Sequence, residues 1–132
     1  MQSFKEPVRM KVKIDTKEKF HVITPEDIVL TANMTDELNQ MLLPFLKTNI
    51  KNVVLKLGMI QEVDKGAAET ILTLQQTFYD NNASFVICDL QKPVEDFFDL
   101  LELLEVLNVT NTESEAWDIV QMEEIEREYL KE

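Results

Sequence analysis

The residues of this chain best suited to chemistry by type and placing are Asp64 and Lys65. They are adjacent where an apolar run, NVVLKLG, and a short connector, MIQEV, give way to a helical pattern. An aspartate at that junction caps the helix by accepting a backbone N–H from the first turn. The helix start also offers unpaired donors and a partial positive charge, a favourable place for an anion. Lys65 adds a cation to that first turn and opposes the helix dipole. This costs about 0.3–1 kcal/mol when exposed, unless Glu62, Asp64 or Glu69 screens it. Two readings follow: a tolerated surface lysine, or a lysine that pairs with an acid on a partner. Gly66, Ala67 and Ala68 come next and predict a shallow, small-residue surface that another backbone can approach closely.

No set of residues makes a catalytic constellation. His21 is the sole histidine and sits mid-strand, with Phe20 and Val22 on the opposite face, which predicts a surface or cross-strand packing role. A general base needs partners within hydrogen-bond reach, and the pattern supplies none. Cys88 is the sole cysteine, in the run FVIC, and reads as a small buried hydrophobe. One Cys and one His far apart do not make a zinc set, and the acids lack the spacing of a calcium loop. With Gly58 and Gly66 as the only glycines, no phosphate cradle can be built, and there is no G-x-S-x-G elbow. The expectation is a protein that is not an enzyme and takes no cofactor and no metal.

The bulk properties agree with a binding role. At 132 residues and 45% hydrophobic, the chain fits one folded domain with a single core. A formal charge of −12, from 25 acids and 13 bases, disfavours nucleic acid and anionic membrane, which require basic surfaces. A protein partner is the expectation. No apolar run is long enough to cross a bilayer, and MQSFKEPVRM has no secretory core, so a cytoplasmic location is expected. A lone cysteine suits that reducing compartment.

Several elements must position the helix start. Residues 1–9 read as a loose leader and 10–128 as the domain, with an acidic C-terminal helix end. Met10, Val12 and Ile14 alternate with Lys11, Lys13 and Asp15 as a strand with one wet face, and FHVIT follows as a second. Met34, Leu38, Met41, Leu42 and Phe45 share one face of a first helix, with Thr31 or Thr35 as cap (Thr31 favoured), a bend at Pro44 and a left-handed stop at Asn49. NVVLKLG is a buried strand. A second helix runs from about Asp64 to Tyr79, with Ala67, Ala68, Ile71, Leu74, Gln75 and Phe78 inward. ASFVICDL is another buried strand, after which Pro93 opens a helix with a Val94, Phe97, Phe98, Leu101, Leu104 stripe. EVLNV is a short last strand. Thr112-x-x-Glu115 is a capping box for a final helix that turns Ala116, Ile119 and Val120 inward. Trp117 is read as a core-rim residue over a sheet edge or as an exposed partner anchor. The acids Glu123, Glu124, Glu126, Glu128 and Glu132 read as a solvated face or a docking surface. Helix and strand alternate after the opening strands, which predicts an α/β fold.

From Met10 to about Glu128 this order resembles the STAS family, the domain of anti-sigma factor antagonists and of sulfate-transporter tails. The resemblance rests on the two opening strands, on NVVLKLGMIQEVDKGAAETIL, on EDFFDLLELLEVLNVTNTESEAWDIV, and on the ending EAWDIVQMEEIERE, which is similar to small stand-alone bacterial members. It implies a SpoIIAA-type, mostly parallel or mixed sheet of four to five strands with about four packed helices, in a single domain. It also implies a regulatory role in transcription signalling, as an antagonist that binds a serine-kinase-type anti-sigma factor. The alternatives are an accessory subunit of a membrane transporter or a partner of another STAS protein. A small nucleotide-binding domain or enzyme is the remote reading. The family's Asp-Ser-Ser-Gly-Leu pattern, whose first serine accepts phosphate, falls here on Asp64, Lys65, Gly66, Ala67 and Ala68. Lys65 therefore removes the phosphorylation site, and Lys56 stands where the preceding strand commonly carries an acid. The partner-binding residues implied are Glu62, Asp64, Lys65, Gly66, Ala67, Ala68 and Glu69.

Overall fold

A hairpin opens the chain. Strands β1 (Val12–Thr16) and β2 (Phe20–Pro25) pair antiparallel, with Val12 opposite Pro25 and Thr16 opposite His21. The computed structural model describes residues 10–130, so the leader assigned to residues 1–9 and the acid Glu132 lie outside the described residues. Beyond the hairpin every strand joins in parallel. β4 (Asn52–Lys56) pairs with β2, β6 (Phe85–Cys88) with β4, and β7 (Val109–Thr110) with β6. The order β1-β2-β4-β6-β7 makes a five-stranded mixed sheet. Parallel neighbours require crossovers, and α-helices supply them. They are α1 (Thr35–Leu42), α2 (Lys65–Asp80) and α3 (Lys92–Leu100), with α4 (Glu113–Leu130) closing the chain.

Side chains alternate across a strand, so each central strand feeds two cores. Ile23, Leu55 and Ile87 point to the face where α1, α2 and α3 bring Leu38, Leu42, Ile71, Leu74, Val94 and Phe98. Phe20, Val22, Val54, Val86 and Cys88 point to the other face, where α4 alone brings Ala116 and Val120. Burial on both faces is why β4 and β6 read as continuous apolar runs.

Several expectations need correction. β1 begins at Val12, and Ile14 is 49% exposed on a strand that lies at the sheet's edge among the described residues. Thr31 precedes a single 3-10 turn, Ala32–Met34, and α1 follows it. Pro44 does not bend an α-helix; without its N–H the chain tightens into a 3-10 segment, Leu43–Lys47. Thr48, not Asn49, ends it, donating both its N–H (3.0 Å) and its Oγ1 hydroxyl (2.7 Å) to the Phe45 carbonyl. The left-handed residues are instead Asn82, Asp89 and Glu102. Gln75 is half-buried: its amide donates to Val106 O (2.8 Å) and accepts from Asn108 N (2.7 Å). A small second sheet was not expected: β3 (Val29–Leu30) pairs parallel with β5 (Glu62–Val63). Two-residue strands are too short to show a period. The capping box forms as its spacing predicts, Glu115 N donating to Thr112 Oγ1 and Thr112 N to Glu115 Oε1, both at 3.1 Å.

Candidate functional site

Strands β4 and β6 end at the same rim, and α2 starts there. In open α/β sheets the carboxyl ends of the strands are where ligands and partners bind. The rim is stitched by backbone: Leu57 N donates to Cys88 O (3.0 Å), and Gln91 Nε2 donates to Gly58 O (2.8 Å). Asp89 reaches this rim with φ of 62°, a left-handed conformation that aspartate tolerates better than most residues.

Asp64 is the hub. One carboxylate oxygen accepts from Ala67 N and caps α2, and the other accepts from Ala32 N, each at 2.9 Å. This second bond clamps the turn before α1 onto the start of α2. Gly66 allows the approach: a Cβ built on it would lie 2.6 Å from Ala32 Cβ. The expected small-residue surface is therefore corrected. Gly66 is half-buried under Ala32, and Ala67 and Ala68 have no exposed surface because they face the core beneath α2. The exposed side chains of the segment are Glu62, Lys65 and Glu69. Lys65 forms no ion pair among the described residues, so its ammonium stands in water at a helix end that repels it. Reading the sequence missed two apolar neighbours on this rim, Ile28 (59% exposed) and Met59 (48%). Ile28 O accepts from Gln61 N at 2.6 Å, which holds its loop against the segment. An apolar residue within a polar loop was the available signal, and Met59 in GMIQE carried it.

Lys56 ends β4 and is not a free charge. Its Nζ lies 3.3 Å from Glu113 Oε1 and 3.7 Å from Asp89 Oδ2, and the hydrogen bond to Glu113 raises its pKa. Next to it, burial pushes the Cys88 thiol up to about 12, which makes it a neutral, inert side chain at ordinary pH. His21 is buried in a cross-strand role. Its Nδ1 is 2.9 Å from Thr16 Oγ1, its Nε2 is 2.9 Å from Ile50 O, and its ring stacks on Phe45 at 3.9 Å. Trp117 is 46% exposed and leans on Phe20 with ring centroids 6.2 Å apart, so it covers a core rim while leaving an edge in water.

Among the described residues, no group of three His, Cys, Asp or Glu side chains is placed to hold a metal. None of their helices is long and apolar enough to cross a membrane. A groove of about 1060 Å³ lies at the opposite rim between Lys19, Ile50, Asn52, Glu124 and Arg127, away from α2's start.

A mixed five-stranded sheet with three helices on one face and a single C-terminal helix on the other defines a STAS-like α/β protein. The chain belongs to the STAS domain family, whose model matches residues 4–116. No curated protein sequence matches it. Solved structures share the fold at low identity. A candidate anti-sigma factor antagonist from Thermotoga maritima is 16% identical, with 83% of this chain and 94% of that one covered and a TM-score of 0.74. The anti-sigma factor antagonist SpoIIAA of Bacillus, in its unphosphorylated form, is 12% identical, with coverage of 84% and 96% and a TM-score of 0.68. The murine anion transporter Slc26a9 is 13% identical over 78% of this chain, but the match spans 18% of the transporter, with a TM-score of 0.63.

Proposed function

We propose that this chain is a non-enzymatic regulatory protein of the anti-sigma factor antagonist kind, working in the cytoplasm of a bacterial cell. It binds its partner through the start of α2 and the flanking loops. The partner proposed is a serine-kinase-type anti-sigma factor, held without any phosphate switch at position 65. The observation that carries this reading is the exposed ammonium of Lys65, which has no ion pair among the described residues and lies in the same segment as exposed Glu62 and Glu69, on a rim where Ile28 and Met59 are also exposed. Exposed apolar side chains and a fixed cation on one rim suit a partner presenting an apolar patch and a carboxylate. Asp64 shapes this surface from beneath, since both of its oxygens are already engaged.

The test is affinity capture from native lysate with mass-spectrometric identification, followed by purified binding with Lys65→Glu. Recovery of a kinase-type ATPase whose binding falls at least tenfold in the variant supports the proposal. Capture unchanged by Lys65→Glu rules out this surface. Recovery of membrane-transporter subunits, or of a second STAS protein, transfers the role to an accessory subunit.

A further inference from the structure

Helix α4 reverses its amphipathic sense halfway along. Up to Val120 it is ordinary: Ala116 and Val120 are buried against β2, β4 and β6. Beyond Val120 the side that meets the sheet is polar. Glu124 accepts from Asn52 Nδ2 at 2.8 Å, and Arg127 donates to Ser84 Oγ at 3.2 Å. The apolar side chains of this half point outward. Met122 is 51% exposed, Ile125 59% and Tyr129 76%. At spacings of i, i+3 and i+7 they form one stripe along the helix. A helix that leaves larger apolar groups exposed than it buries has, among the described residues, a face without a partner, and such a face marks an interaction surface.

Charge selects the occupant. Asp118 and Glu126 border the stripe, and α4 carries seven carboxylates against the single guanidinium of Arg127. A second copy docking antiparallel through the same stripe would set these acids against their own counterparts, on molecules that each carry −12. Like charges brought together at an interface oppose such pairing. We infer that the Met122–Ile125–Tyr129 stripe docks a cationic amphipathic helix of another protein, whose apolar seam covers the stripe and whose lysines or arginines meet the flanking acids. This surface is separate from the start of α2.

Two synthetic helical peptides with the same leucine seam, one flanked by lysines and one by glutamates, are titrated by fluorescence anisotropy against the full chain. The lysine peptide binds, more weakly at high salt, and the glutamate peptide does not. Ile125→Ser keeps every charge, sits on a solvent-facing position, and weakens the lysine peptide at least tenfold with the helical circular dichroism unchanged. Equal affinity for parent and Ile125→Ser overturns the inference, as does failure of the lysine peptide to bind. A concentration-dependent dimer that Ile125→Ser abolishes also overturns it, and assigns the stripe to a second copy.

Discussion

Replacing Gly66 by alanine sets two physical effects of opposite sign against each other. In a helix, alanine is favoured over glycine by about 1 kcal/mol. At this position the added Cβ would fall 2.6 Å from Ala32 Cβ and 3.5 Å from Ala32 Cα. Carbon atoms rest at about 3.5–4.0 Å, so Ala32 must retreat by about 1 Å. Ala32 has no flexible side chain to yield, and its N–H is held by Asp64 Oδ2 at 2.9 Å. A retreat of that size takes the bond out of range, losing about 0.5–1.5 kcal/mol. Overpacking adds about 1–3 kcal/mol. After subtracting the helix preference, Gly66→Ala is expected to destabilise by about 0.5–3.5 kcal/mol, a fall in melting temperature of about 2–13 °C for a chain of this size. Urea unfolding reads it as a lower midpoint at constant slope. Ala32→Gly removes the obstacle, and the double variant recovers most of the loss, giving a coupling of about 1.5–4.5 kcal/mol. A Gly66→Ala protein as stable as its parent, or a double variant with no recovery, would refute the close-approach argument.

Asp64→Ala removes both acceptors and is expected to destabilise by about 1.5–2 kcal/mol, while Asp64→Asn keeps one acceptor and loses about half of that by urea titration. Cys88, with its thiol pushed up to about 12 by burial, reacts with iodoacetamide at pH 8 only as fast as the chain unfolds. The unfolded thiol ionises above about pH 9 and the native one does not, so stability is intact below that pH. It then falls by about 1.4 kcal/mol per pH unit from this group until near pH 12, a slope that Cys88→Ala removes. Lys56→Ala leaves Glu113 and Asp89 without their shared cation and destabilises by about 1 kcal/mol, and Lys56→Glu costs more; adding Glu113→Ala recovers part of the loss in a double-mutant cycle.

The wound order of strands and helices was legible because each central element carries a clean signal. FVIC and NVVLK are continuous apolar runs, α2 keeps one inner face from Ala67 to Phe78, and the Thr112–Glu115 box marks the start of α4. What stayed hidden depends on contacts between distant segments. The β3–β5 pair has two residues on each side and owes its existence to the loop from Ile28 meeting Gln61. Asp64 was readable as a cap, but its second bond to Ala32 joins residues 32 apart in sequence. Ala67 and Ala68 belong to the helical stripe that predicts burial and also to a segment read as a surface; the stripe wins, because a side chain's direction follows helix phase rather than proximity to a site. The exposure of Ile28 and Met59, like the outward stripe on α4, breaks the rule that apolar residues face inward, and sequence periodicity has no term for that.

The outer edge of β1 has a consequence for how these molecules behave when crowded. Among the described residues no strand pairs with β1 on that side, and Ile14 offers apolar adhesion there. Such a margin is a template on which another chain can add a strand. Lys11 and Lys13 line it with like charge, while Lys17 is paired with Asp15 at 2.9 Å, so two copies approaching margin to margin through these two lysines repel each other before their ladders can join. Acylating these amines would remove that guard, and stacked, thioflavin-positive aggregates should then form from folded protein at concentrations where the unmodified chain stays dispersed.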